Sequence, residues 1–232
     1  MRIIASGILS DHMGKIFLQQ DSPTSLMPVR RPLMAGMTPA AALDMAFREE
    51  TGLIVMPVRV TGVFFDGSTP EGELTFCYRC TMRGGNLVVP DGAHAAGFFD
   101  YAPFPSGLSP KYRQQVDGAL HHPGGPPSLE NVAGGLGTRL GRLFGRGKPA
   151  VEGQQWSVGI RLVSEPAEGT LEWAMVGAEV ASASIAAVAG EPPWITAGHL
   201  LGARPSSVQL NRVEFDATKP DLTLVFAPSG NR

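Results

Sequence analysis

Glu49 and Glu50 stand side by side in the stretch Phe47–Leu53, "FREETGL". Two adjacent carboxylates can share one hard divalent cation, which takes oxygen ligands. They fall near the end of a helical pattern, where the helix dipole disfavours negative charge. A helix built for stability alone would gain more from Lys or Arg there, so the pair fits descent from a metal site, which leaves its present use open. Upstream, Arg30 and Arg31 are adjacent. A guanidinium can grip phosphate through paired hydrogen bonds. Cys77 and Cys80 form a lone C-x-x-C in "ELTFCYRCTM", a spacing that can serve redox chemistry or half a metal site. The surroundings favour a strand, and a strand turns the two thiols to opposite faces. Both cysteines are therefore expected as small buried hydrophobes.

The glutamates need a helix to hold them, and "TPAAALDMAFREETG" carries its signals. Thr38 can accept an orphan N–H as the cap. Pro39 fits the first helical position, where no N–H is required. Ala40, Ala41, Ala42 and Leu43 favour the helix, and Gly52 fits the left-handed stop. Arg2–Ser10 reads as a strand, "DHMG" as a turn and "KIFLQQ" as a second strand, so an opening hairpin is expected. Residues 21–36, with three prolines, are expected as a loop. "IVMPVRVTGVFFD" and "GELTFCYRCTMRG" read as strands joined by "GSTPEG". "NLVV" and "AAGFFD" read as shorter strands, and a last helix begins near Ser109 and Pro110. These elements over residues 1–122 imply an α/β (α+β) fold, a mixed β-sheet sandwiched between helices.

This helix resembles the Nudix box, the signature of the Nudix hydrolases, G-x5-E-x7-R-E-U-x-E-E-x-G-U with U a bulky apolar residue. The frame runs from Arg31 to Leu53 without a gap. Phe47, Glu49, Glu50, Gly52 and Leu53 match, and "AGMTP" is similar to the family's turn into the helix. Arg31 stands in place of the first Gly, Met37 in place of the first Glu, and Met45-Ala46 in place of Arg-Glu. The strand order and the ending "GFFDYAPFPSGLSPKYRQQVDGAL" extend the resemblance over residues 1–122, a Nudix-like domain.

The resemblance implies cleavage of a nucleoside diphosphate derivative, assisted by Mg²⁺ or Mn²⁺ that screens the pyrophosphate and polarises a P–O bond. It implies Glu49 and Glu50 as metal ligands and catalytic residues, with the third acid of the cluster missing at Ala46. Asp44 lies about 140° around the axis from Glu49 and is a poor substitute. It is placed to pair with Arg48 at i, i+4. Any replacement acid or base must come from outside the box. Candidates are Glu71, Glu73 and Asp91, the last near where some family members place a further metal carboxylate, and His94, whose pKa lies near neutrality. Arg30 and Arg31 fall in the box loop, where an arginine lacks glycine's freedom but can contact substrate phosphate. The expected function is a Nudix-family protein with impaired or absent catalysis. Two alternatives stay open. One is an active Mg²⁺-dependent pyrophosphohydrolase with a base outside the box. The other is a non-catalytic nucleotide-binding or protein-interaction module.

The formal net charge of −2 offers no global field toward nucleic acid or a membrane. The apolar N-terminal run before Asp11 is too short for a secretory signal, and Trp173–Gly190 is a poor membrane span. A cytoplasmic protein is expected. Charged residues are 17%, while Gly (29) and Pro (20) are plentiful, which implies many turns. Residues 123–153 are Gly/Pro-rich and read as a linker, with Arg139, Arg142, Arg146 and Lys148 available to phosphate, an acidic lipid or an acidic partner. Residues 154–232 read as a mostly β C-terminal domain that carries no motif. "ASASIAAVAG" fits helix or strand. The expected partners are a nucleotide-like small molecule and, through residues 123–232, a second copy or another protein.

Overall fold

The computed structural model describes residues 1–88, 96–132, 154–165, 172–176, 184–216 and 218–229. Its strands are β1 (Arg2–Leu9), β2 (Ile16–Ser22), β3 (Ser25–Met27), β4 (Val29–Pro32), β5 (Leu53–Asp66), β6 (Glu73–Gly85), β7 (Ala96–Phe99), β8 (Ser128–Asn131), β9 (Ser157–Leu162), β10 (Glu172–Val176), β11 (Ile185–Ala186), β12 (Val208–Asp216) and β13 (Asp221–Pro228). The helices among these residues are α1 (Pro39–Thr51), α2 (Pro110–Leu120) and α3 (Pro193–Leu200), with a 3₁₀ turn at Pro205–Ser207. No helix among the described residues is long and apolar enough to cross a membrane.

The first sheet has the order β4-β1-β6-β5-β8. β1 runs parallel to β6 and antiparallel to β4. β5 runs antiparallel to β6 and parallel to β8. The opening is not a hairpin. The turn forms as expected, with the Asp11 carboxylate accepting the Met13 and Lys15 N–H groups. Beyond the single bridge between Ser10 and Ile16, β2 leaves β1 and pairs with β3 and β7 in a separate sheet. The reason is geometric: a strand has two edges, and β4 and β6 occupy both edges of β1.

The expected loop at 21–36 also contains strands. β4 lies at the edge of its sheet, where proline's missing N–H leaves no ladder bond unmade, so Pro32 can end it. Of the expected "NLVV" strand, residues 86–88 are not in a strand and Val89 lies outside the described residues. Ser128–Asn131, inside the expected linker, pairs with Gly62–Phe65 as β8. α3 had no strong sequence signal beyond Pro193 at its first turn, because Ile, Thr and Gly are modest helix formers. Ile185–Ala186 in "ASASIAAVAG" pairs with Gly159 and Ile160.

The sheet is indeed sandwiched. On the α1 face lie Ile3, Ala5, Leu74, Phe76, Tyr78 and Cys80, and on the α2 face lie Ile8, Phe64, Cys77, Val116 and Ala119. The second five-stranded sheet, β10-β12-β13-β9-β11, is covered by α3. Its inner residues Val158, Phe215 and Phe226, with Trp156 just before β9, belong to the same buried cluster as the α1 face of the first sheet. Trp156 joins the two. Its backbone exchanges hydrogen bonds with Met1, and its indole N–H donates to the Leu33 carbonyl at 3.1 Å. Its ring meets Phe215 edge-on, as Trp194 meets Phe65.

Gly7 lets α1 approach the sheet. A Cβ there would lie 2.7 Å from the Phe47 ring and 3.3 Å from Leu43, both fully buried. Gly7→Val should lift α1 and cost about 1–3 kcal/mol, the usual range for overpacking. Urea denaturation would show the loss as a lower midpoint with an unchanged m-value. An unshifted midpoint would mean that the helix is not seated on Gly7.

Candidate functional site

The box helix is built as its sequence implies. The Thr38 hydroxyl oxygen accepts the Ala41 N–H at 3.3 Å. Pro39 opens the first turn, and Gly52 ends the helix at φ 70° with its N–H on the Arg48 carbonyl. A Cβ on Gly52 would approach the Asn86 carbonyl oxygen to 2.5 Å, so glycine is required for both conformation and space. Leu43, Ala46 and Phe47 face the core, and Ala46 is 0% exposed. This leaves Glu49 and Glu50 on the side of α1 toward β4 and β2. Arg48 pairs with Asp44 at 2.9 Å, as the i, i+4 spacing implies.

Arg31 meets the two glutamates. Its Nη2 lies 2.6 Å from Glu49 Oε2 and 3.4 Å from Glu50 Oε1. The Gln19 amide donates to the other oxygen of Glu50 at 3.0 Å. Glu50 therefore has both carboxylate oxygens engaged by donors of the chain itself. The side chains are 23% exposed for Arg31, 55% for Glu49 and 34% for Glu50. Gln19 was not legible as a member of this site, since its partner is 31 residues away on another element.

A divalent cation does not fit this arrangement. Such an ion needs several oxygen ligands. Two carboxylates are present, both facing a guanidinium, and the third box position is a methyl group inside the core. No group of three or more His, Cys, Asp or Glu among the described residues is placed to hold a metal ion.

Arg30 points the other way. On β4 successive side chains alternate, so Arg31 faces α1 while Arg30 reaches Glu73 at 2.6 Å and donates to the Tyr112 hydroxyl at 2.7 Å. Glu73 is not a loop acid. It opens β6, its side chain is 8% exposed, and it also meets Arg2 at 3.1 Å and Lys111 at 2.9 Å. Lys111 bridges on to Asp66 at 2.8 Å. Burial pushes the Glu73 carboxyl up, but Arg30 and Lys111 outweigh it and hold the group below its usual range. Asp66 is likewise pushed up by burial and held down by Lys111 and Ser68. The structure thus separates Glu73 from the box glutamates by the thickness of the sheet. Glu71 lies exposed in the turn before β6. Asp91 and His94 lie outside the described residues.

Cys77 and Cys80 are free and buried, on opposite faces of β6. Burial pushes the Cys77 thiol up to about 12 and raises Cys80 as well. Neither is a reactive thiolate near neutral pH.

No protein-family profile matches the chain, and no curated protein does. Several solved structures similar to it are described as Nudix hydrolases, and others as nucleotide-derivative pyrophosphatases or diphosphatases. An ADP-ribose pyrophosphatase from Streptococcus suis is 15% identical with a TM-score of 0.44, over 56% of this chain and 98% of that one. A UDP-X diphosphatase is 19% identical with a TM-score of 0.48, over 55% and 66%. A Nudix hydrolase from Nitrosomonas europaea is 18% identical with a TM-score of 0.43, over 50% and 86%. Likeness at this level concerns chain path alone, and the site is read from its own residues.

The two ion clusters should differ in worth. Glu73→Gln leaves buried cations without their partner and should cost about 3–5 kcal/mol, as breaking a buried pair does. Arg31→Met removes a half-exposed pair and should cost about 1 kcal/mol or less. Because the Glu73 and Asp66 pKa values are depressed on folding, their contribution is full above about pH 4 and is lost as pH falls through the folded values. The gap between wild type and Glu73→Gln should therefore narrow in acid. Urea melts at neutral and acid pH check both claims, and a gap independent of pH would contradict the second.

Proposed function

We propose that this chain is a Nudix-fold protein related to hydrolases of nucleoside diphosphate derivatives, with impaired or absent catalysis. One observation carries the reading: a guanidinium of the chain itself lies against both remaining box glutamates, where the reaction needs a divalent ion. The buried methyl of Ala46 supports it, since a carboxylate there would be a charge inside the core. The box itself also lacks the carboxylate that would serve as its base, since position 46 is alanine. Losing one general base costs about 10²–10⁴ in rate, and here a ligand position is lost with it.

The reading extends to a non-catalytic module in the cytoplasm. It would take a nucleotide-like small molecule or, through residues 123–232, a second copy or another protein. Catalysis by an active variant would draw on Mg²⁺ or Mn²⁺ and on a base such as Asp91 or His94.

A panel of ADP-ribose, dinucleoside polyphosphates, nucleotide sugars and dNTPs, with and without Mg²⁺, tests the proposal. We expect no Mg²⁺-dependent product above background. A ligand that raises the melting temperature without being cleaved would show binding by mass action. A product that requires Mg²⁺ and disappears in Glu50→Gln would establish a working hydrolase instead.

A further inference from the structure

The box glutamates have been retained without the residues that would make them a metal site. Their surroundings show what they do instead. A single nitrogen of Arg31 contacts an oxygen of each carboxylate, so one positive charge lies between the two acids. Gln19 caps the remaining oxygen of Glu50. Arg31 is anchored on β4, whose backbone is paired with Ala5 of β1, so the charge is delivered from a fixed strand rather than a free loop.

Resting on the functional reading above, we propose that Arg31 is the resident cation of this site. Its guanidinium neutralises Glu49 and Glu50 in place of a divalent ion and excludes that ion by occupying its position and repelling its charge. A neutral side chain at position 31 leaves Glu49 and Glu50 without their resident cation and open to a divalent ion. Arg31 is thus a built-in block on the site. Carboxylates are hard ligands suited to Mg²⁺ or Mn²⁺.

The test uses the full chain and Mn²⁺ alone, read by the electron paramagnetic resonance of the free ion. The wild type and Arg31→Lys should leave Mn²⁺ free at millimolar concentration. Arg31→Met should bind it at least ten-fold more tightly than the wild type, and the added Glu50→Gln change should abolish the gain. Arg31→Gln serves as a second neutral variant of similar length, and circular dichroism checks that each variant is folded. Mn²⁺ bound by the wild type and lost in Glu50→Gln would overturn the proposal. So would folded Arg31→Met and Arg31→Gln proteins that bind no better than the wild type. Because the readout is binding, its failure is distinct from that of the functional reading, which falls only if the wild type turns over substrate.

Discussion

Alternation along β1, β4 and β6 decides what each face of the first sheet can hold. A strand sends neighbouring side chains to opposite sides, and this sheet is covered on both. Adjacent residues therefore live in different environments. Arg31 faces the box helix, while Arg30 enters the buried cluster around Glu73. Gly7 makes room for Phe47, while Ser6 donates its hydroxyl to Gln115 of α2. Cys77 and Cys80 are divided between the two cores. A slip of one residue in β4 would exchange the arginines and strand both sets of acids.

The two arginines show how the same side chain does different work at different depths. Around Glu73, three cations and two acids are withdrawn from water. Removing one member there exposes the others to an uncompensated desolvation cost. At the box, the charges keep contact with solvent, and the pairing does less for stability. Its consequence is chemical. Each guanidinium hydrogen bond engages an oxygen that a metal ion would need.

The second half of the chain bears on the same loop. Gln154 accepts the Ala35 N–H through its side-chain oxygen at 2.7 Å, and Trp156 holds the Leu33 carbonyl. The segment that leads into the box helix is thus fixed from outside the first sheet. Trp156 and Trp194 also carry large apolar areas into a core shared by both sheets. Aromatic burial of this kind dominates packing energetics.

Local signals were legible in the sequence. The Thr38 cap, Pro39 and the left-handed Gly52 involve hydrogen bonds and backbone angles within a turn of their own residues, so composition alone determined where α1 begins and ends. β5 and β6 were legible for the same reason, as was the Asp44–Arg48 pair. The box frame, read by resemblance, identified Glu49 and Glu50 as the residues to watch. Only the tertiary structure decided what faces them. Arg31 is 18 residues from Glu49, and its side of β4 is set by pairing with β1. Gln19 arrives from another sheet. β2 parts from β1 because both edges of β1 are filled by strands distant in sequence. β8 and α3 form where a partner surface exists, against weak intrinsic preference. Caps and turns are local interactions, while strand partners, faces and ion pairs across elements depend on which distant segment is adjacent in the fold.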